Sequence, residues 1–273
     1  MSLIFKSVSI MKKIFLLGII SLMSIVANAQ NPKKLFQTAE NFFSIEQYNE
    51  VIPLLNQCIE KQYYQDGRTH YYLIHSYLRT GQVEKGLVVT QEAIKMYPEQ
   101  DDFLFLLFTA YSISKDMKGM EVGKKVLETR YADSPEDKRN VLYWIGEICF
   151  LNNQYKEAIP YLRQCLEIDQ DYIHAINYLG ASMYNEICDL YDNLANMTNS
   201  NTPEYKDLFS RLEKDSNEAL LLMEKGFKSP STDISVKIAL AERLAALCSI
   251  FNAPEYKEKE AYYTKFVESG GNM

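Results

Sequence analysis

Three histidines, five cysteines and thirty-three tyrosine or phenylalanine side chains are the chemistry-bearing groups of this 273-residue chain. Their spacing excludes most of the chemistry they could do. A zinc site needs three or four ligands converging from short, regular spacings. His70 and His75 are five apart and do not share a helix face, His174 is remote, and there is no HExxH or CxxC. No GxGxxG, P-loop or GxSxG is present, so the sequence offers neither a phosphate cradle nor a nucleophile elbow. Asp and Glu are abundant, as on any solvated helical protein, and their spacing pairs no two across a cleft. The sequence therefore points to no catalytic residue, no metal and no cofactor: a chain that is not an enzyme. Cys58, Cys149, Cys165, Cys188 and Cys248 are odd in number and sit in apolar helical patterns, where small buried side chains are the plain reading. A Cys149–Cys165 bridge within one helical hairpin is the specific alternative. What remains is aromatic surface, which stacks, packs and accepts partners.

The elements that would position those rings follow from composition and pattern. Lys and Arg number 29 against 36 Asp and Glu, a net charge of -7, which argues against nucleic acid as a partner. Eleven Gly and eight Pro are few for a chain with many strands and tight turns. Met11-Lys12-Lys13, the apolar run Ile14 to Ala27 and the small-x-small Ala27-Asn28-Ala29 read as a signal peptide over residues 1–29, with Met1 or Met11 as the start. The apolar run is shorter than the roughly 20 residues that span a bilayer. A cleaved signal, rather than a retained anchor, predicts export to the periplasm or beyond, with no membrane span afterwards. The Ala-Gln junction is similar to signal ends of Bacteroidetes-type bacteria.

Residues 47–52, Gln-Tyr-Asn-Glu-Val-Ile, recur as 82–87, as 154–159 and, degenerately, as 116–121. Seven residues after the fifth position come Cys58, Ala93, Leu127 and Cys165; twelve before it come Ala39, Ile74, Phe108 and Gly146. Small side chains at such slots let two helices approach, while bulky neighbours fill the flanking grooves. The pattern predicts helices near 33–45, 48–61, 68–80, 83–96, 102–114, 118–131, 137–151 and 155–167.

These residues resemble the tetratricopeptide repeat (TPR), above all Gly81-Gln82-Val83-Glu84-Lys85-Gly86 with Ala93 and Pro98, and Ile145-Gly146 with Tyr155, Ala158, Cys165 and Leu166. A fifth copy opens at Leu179-Gly180 and closes at Glu218-Ala219-Leu220, Met223 and Gly226. The resemblance covers about residues 32–228 and implies an all-α, right-handed α-solenoid of about five helix pairs over 30–228. Residues 229–273 then form a C-terminal helical cap. In the fifth copy both arms are lengthened around Asn199–Pro203, with Thr202 as N-cap and Pro203 at the first helical position. Ile187, Leu190, Tyr191 and Leu194 on one arm and Tyr205, Leu208, Phe209 and Leu212 on the other form two seams. They pack on each other, or also grip a partner.

In TPR proteins the first helix of each pair lines a concave groove, so the resemblance implies candidate groove residues. Aligning the copies puts Phe36, Tyr71, Phe105, Tyr143 and Asn177 at one position. The next turn offers Glu40, His75, Thr109, Glu147 and Ala181, and the turn after that Phe43, Leu78, Ser112, Phe150 and Tyr184. Arg68 and Arg79 are the strong cations of the second copy. The family's carboxylate clamp uses Lys and Asn there; aromatics, Glu and His replace them here. The implied function is a scaffold binding a protein or peptide in the groove, with an envelope glycan stacked on the same rings as the runner-up. The bland reading is that these rings pack on their neighbours.

Overall fold

The computed structural model describes residues 31–251 and 253–272; the signal read from residues 1–29 lies outside them. Among the described residues there are twelve α-helices and no strand. They are α1 (Pro32–Ser44), α2 (Tyr48–Glu60), α3 (Arg68–Arg79), α4 (Val83–Met96), α5 (Asp101–Ser114), α6 (Lys118–Val126), α7 (Pro135–Leu151), α8 (Tyr155–Ile168), α9 (Ile173–Ala195), α10 (Pro203–Lys228), α11 (Ile234–Ile250) and α12 (Pro254–Glu268). The described residues divide into two compact units, one up to Ala110 and one from Tyr111 on, each described by itself below.

Within each unit, consecutive helices pack as antiparallel neighbours, and first helices also touch the next first helix: α1 meets α3, α7 meets α9. One turn joins the two helices of the first four pairs. Glu46, Gly81, Lys115 and Asn153 each take positive φ, 59°, 74°, 56° and 60°. The next amide reaches back five residues: Gln47 to Phe42, Gln82 to Tyr77, Asp116 to Tyr111 and Gln154 to Cys149. This is the Schellman termination, which satisfies the last carbonyls of the first helix. Only one of the four is a glycine, so the other three carry the left-handed cost in exchange for a fixed hairpin angle. Helix starts are equally local. Asn31, Ser134 and Thr202 side chains accept from the amides of Lys33, Asp137 and Tyr205, each followed by proline at the first helical position. Asp233, which precedes α11, makes no side-chain cap bond.

The small slots do what their spacing requires. A Cβ on Gly146 would stand 2.5 Å from Leu162 Cγ, and one on Gly180 2.5 Å from Met223 Cγ. Ala39, Ala93 and Ala158 are fully buried. The third copy is one residue out of the expected register. Gly119, not Met120, is the buried slot, with a Cβ there 2.6 Å from Ile148 Cδ1, and Val126, not Leu127, is the fully buried partner seven residues on. The second helix of that copy also stops at Val126 rather than near residue 131. Thr129 ends it: its hydroxyl donates to Val126 O at 2.7 Å and accepts from Tyr131 N, turning 130–132 into a short 3-10 turn.

The fifth hairpin is long, 23 residues in α9 and 26 in α10. Ile187, Leu190, Leu194 and Leu212 are buried along its seam, but Tyr191 and Phe209 lie outside it, 46% and 43% exposed. The seam is therefore narrower than the apolar pattern suggested. All five cysteines are free, so the 149–165 bridge does not form. Four are buried, and burial raises the Cys149 thiol to about 11 and the Cys165 thiol to about 12.

Helix α12 is clasped to α10 by Glu224, a buried carboxylate that accepts from Lys228 Nζ at 3.1 Å and Lys259 Nζ at 2.6 Å. Burial pushes this carboxyl up, yet the hydrogen bonds and charges of the two lysines outweigh it and hold its pKa below the ordinary value. A depressed folded-state pKa contributes stability above the unfolded pKa, about 4.3, that disappears as pH falls through the folded value. Lys228 and Lys259 are exposed, 70% and 45%, so solvent screens them and the pair contributes at the low end of charged hydrogen bonds, about 1–2 kcal/mol. Glu224→Gln is expected to lower stability by that amount in urea titrations at pH 7, with the difference from the parent shrinking as pH falls below the unfolded value.

Candidate functional site

In the first unit the first helices carry a connected run of rings. Phe36, on α1, is buried, and its centroid lies 6.0 Å from both Tyr63 and Tyr72. Phe43, two turns on, packs on Tyr72 at 4.5 Å, His75 at 5.1 Å and Tyr48 at 5.5 Å. Tyr71 extends the run through Tyr72 at 5.8 Å and His75 at 6.2 Å. Two guanidiniums cover ring faces: Arg68 stands 5.3 Å above Phe36, and Arg79 5.5 Å from Tyr48. Arg68 also pairs with Glu40 at 3.3 Å. Phe43, Tyr48, Tyr71, Tyr72 and His75 are each only partly covered. Burial, then the charge of Arg79, lowers the His75 pKa, so its imidazole sits neutral among the rings at pH 7. Beside Tyr71 and Tyr72 a hollow of about 260 Å³ opens, walled by Asp66, Gly67, Arg68 and Gln100. Phe105 is half-buried on α5.

The second unit repeats the arrangement. Tyr143 packs on Tyr172 at 5.3 Å and Tyr178 at 6.0 Å, as Phe36 does on Tyr63 and Tyr72. Phe150 packs on Tyr178 at 5.1 Å and Tyr155 at 5.4 Å, as Phe43 does on Tyr72 and Tyr48. Arg139 lies 4.6 Å over Tyr172 and pairs with Asp169 at 3.0 Å. The polar centre differs. Glu147 Oε1 accepts from Tyr143 Oη and Tyr178 Oη, both at 3.1 Å, and Oε2 from Lys115 Nζ at 2.7 Å. Burial and the neighbouring carboxylate raise the Tyr143 phenol strongly and the Tyr178 phenol to about 12. Both hydroxyls therefore remain donors throughout the physiological range. Glu147 is thus a paired structural group that fixes ring orientation.

The structure brings together Phe36, Glu40, Phe43, Arg68, Tyr71 and His75 in one unit, and Tyr143, Glu147 and Phe150 in the other. Tyr184 makes no ring contact among the described residues and sits near Cys188 and Arg243. Phe36 and Tyr143 are buried anchors, 2% and 9% exposed, which leaves contact to the rings packed on them. Sequence alignment missed Tyr72 and Tyr178, one position beyond the aligned slot, and Tyr63 and Tyr172 in the preceding loops. Tyr48 and Tyr155 were in view as repeat markers only. One signal was available: Phe36, Glu40, Phe43 and Tyr48 recur at a single constant offset as Tyr143, Glu147, Phe150 and Tyr155. Among the described residues no group of His, Cys, Asp and Glu could hold a metal ion. No described helix is long and apolar enough to cross a membrane.

Half-covered rings flanked by fixed cations are able to stack on apolar or aromatic groups, each ring pair contributing about 0.5–1.5 kcal/mol beyond its area. Comparison with known proteins bears on the frame that holds them. Residues 140–172, which run from within α7 through α8, match the family model of the tetratricopeptide repeat. Among solved structures, the C-terminal part of a TPR repeat-containing protein from Cytophaga hutchinsonii superposes with a TM-score of 0.54 at 12% identity, covering 88% of this chain and 83% of that one. A MamA protein gives 0.51 at 12% identity, covering 76% and 98%. MamA from Desulfovibrio magneticus gives 0.50 at 13% identity, covering 68% and 96%. No curated protein sequence matches the chain. The chain therefore carries a tetratricopeptide repeat, at residues 140–172, within an all-α fold of the tetratricopeptide-repeat solenoid class.

Proposed function

We propose that this chain is an exported, non-catalytic scaffold that grips an extended protein or peptide segment along the aromatic face of its first helices. The observation that carries the reading is the recurrence, in both units, of one five-ring arrangement: Phe36, Tyr63, Tyr72, Phe43 and Tyr48, then Tyr143, Tyr172, Tyr178, Phe150 and Tyr155. A core needs only volume, which Leu and Ile supply. Half-covered rings flanked by guanidiniums suit a partner that presents apolar and aromatic side chains. Export is supported by the Lys12–Ala29 pattern in the sequence.

The test is selection from a randomised peptide library displayed on phage, with the full mature chain as bait. Recovered peptides are expected to be rich in aromatic and aliphatic residues. Tyr71→Ala and His75→Ala, both at half-buried positions, are expected to weaken them about tenfold or more each, about 1.4 kcal/mol. Helical content by circular dichroism should stay unchanged. Peptides whose affinity ignores both substitutions, or capture of envelope polysaccharide in place of peptide, would overturn the reading.

A further inference from the structure

The long fifth hairpin outreaches the helices stacked on it. Tyr184 of α9 lies near Arg243 of α11, and Asn217 Oδ1 of α10 accepts from the Tyr256 hydroxyl of α12 at 3.0 Å. These contacts mark the side of the hairpin that α11 and α12 cover. Helical period carries the same side on to the tip. On α9 it reaches Tyr191, seven residues after Tyr184. On α10 it reaches Glu213, Ser210 and Lys206, which are four, seven and eleven residues before Asn217. Phe209 borders this strip and stacks on Tyr205, with ring centroids 6.3 Å apart and planes 8° apart. Tyr191, Lys206, Phe209, Ser210 and Glu213 are all exposed. The side that is packed at the base of the hairpin is therefore bare at its tip, and there it carries rings rather than the small polar side chains that suit solvent.

The charge on the strip has an order that selects what covers it. Lys206 and Glu213 stand about 10 Å apart along α10, with Phe209 and Ser210 midway between them. Their neighbours lie round the helix: Arg211 pairs with Asp215 at 3.3 Å, and the charge of Lys214 bears on Glu218. A second α10 laid antiparallel across the strip, about a two-fold axis through its midpoint, sets each Lys206 against Glu213 of the other copy. The two Phe209 rings then meet near the axis. A parallel copy would set lysine on lysine and glutamate on glutamate. An isologous contact needs a self-complementary patch, and a cation and an anion evenly spaced about an apolar centre make one.

We propose that two copies of this chain clasp each other through the tips of their fifth hairpins, antiparallel, with Phe209 beside the two-fold axis and a Lys206–Glu213 contact on either side of it. The strip is a few helical turns long, so the pair belongs to the weak, exchanging class of interface, with a Kd of about 10–100 µM. It shares no residue with the aromatic face and does not depend on the peptide proposed to bind there.

The test is sedimentation equilibrium of the full mature chain over about 1–500 µM at low salt, where surface charge is least screened. The parent is expected to pass from monomer to dimer within that range. Phe209→Ala should weaken the dimer about tenfold or more. Lys206→Glu and Glu213→Lys, both at exposed positions, should each weaken it about tenfold or more, because each variant meets its own copy with like charges on both sides of the axis. Mixed in equal amounts, these two variants should pair with each other about as tightly as the parent pairs with itself, and the doubly reversed chain should regain the parent constant. Circular dichroism should show the same helical content in all of them. A parent that stays monomeric to the highest concentration, a dimer indifferent to Phe209→Ala or to either reversal, or reversed variants that fail to pair when mixed would each overturn the proposal.

Discussion

Gly146→Val is expected to destabilise the second unit by about 3 kcal/mol, and its cost to combine less than additively with that of Leu162→Ala. The Cβ that valine adds would lie 2.5 Å from Leu162 Cγ and 2.7 Å from its Cδ2. Leu162 is fully buried and its Cγ is a branch point, so it cannot yield as a flexible tip would. Overpacking of this kind costs about 1–3 kcal/mol and at times more. Valine is a better helix former than glycine by a few tenths of a kcal/mol, too little to compensate. Leu162→Ala alone leaves a cavity and costs about 2–5 kcal/mol. In the double variant the new methyls occupy part of that cavity, and the total should fall short of the sum by about 1–3 kcal/mol. Urea unfolding followed by Trp144, the chain's one tryptophan and two residues from the substitution, reads all four corners of the cycle. Additive costs would mean that α7 and α8 do not meet at Gly146. Gly180→Val should be milder, because the facing atoms, Met223 Cγ and Sδ, belong to an unbranched side chain that can rotate away.

That contact explains why so much of the fold was legible. A small slot is a requirement on one residue type at one position, and its recurrence fixes helix, partner and crossing together. Where two neighbouring residues compete for the slot, sequence loses its grip. Gly119 and Val126 are seven apart, as are Met120 and Leu127, and only packing against Ile148 and Tyr111 chooses the first pair. The end of α6 was hidden for another reason: Thr129 tolerates helix, and its hydroxyl bonds to Val126 O and Tyr131 N decide otherwise. The candidate face was legible on helices and obscure in loops. Tyr63 reaches Phe36 from a loop whose path depends on positive φ at Gln62, Gln65 and Asp66, none of them a glycine. Glu147 looked like a free groove carboxylate. Its three donors come from Tyr143 on its own helix, Tyr178 on the next first helix and Lys115 from the turn before, and no single-helix pattern joins them.

His70→Leu is expected to stabilise the first unit by about 1–3 kcal/mol at pH 7, and by more at pH 5. His70 is fully buried on α3, and neither ring nitrogen has a hydrogen-bond partner in the structure. Its neighbours are the rings of Tyr64 at 5.2 Å and Tyr97 at 5.7 Å. An unsatisfied buried polar group costs about 1–3 kcal/mol, and leucine of similar volume removes it. The pH dependence follows from the sign of the shift. Burial lowers the His70 pKa, and the charge of Glu92 on α4 only partly offsets it. The unfolded chain therefore binds this proton more tightly than the folded one. Stability is complete above the unfolded value, about 6.5, and falls as pH drops toward the folded value, by up to about 1.4 kcal/mol per pH unit. His75 shifts in the same direction, through burial and Arg79, and adds to the loss. Hydrogen exchange of the α3 amides between Leu73 and Tyr77, corrected for intrinsic rates, should show protection in the parent falling from pH 7 to pH 5. The His70→Leu variant should start higher and fall less steeply. A variant less protected at both pH values would mean that the imidazole makes a stabilising hydrogen bond in solution, and an unchanged slope would assign the acid response to His75 alone.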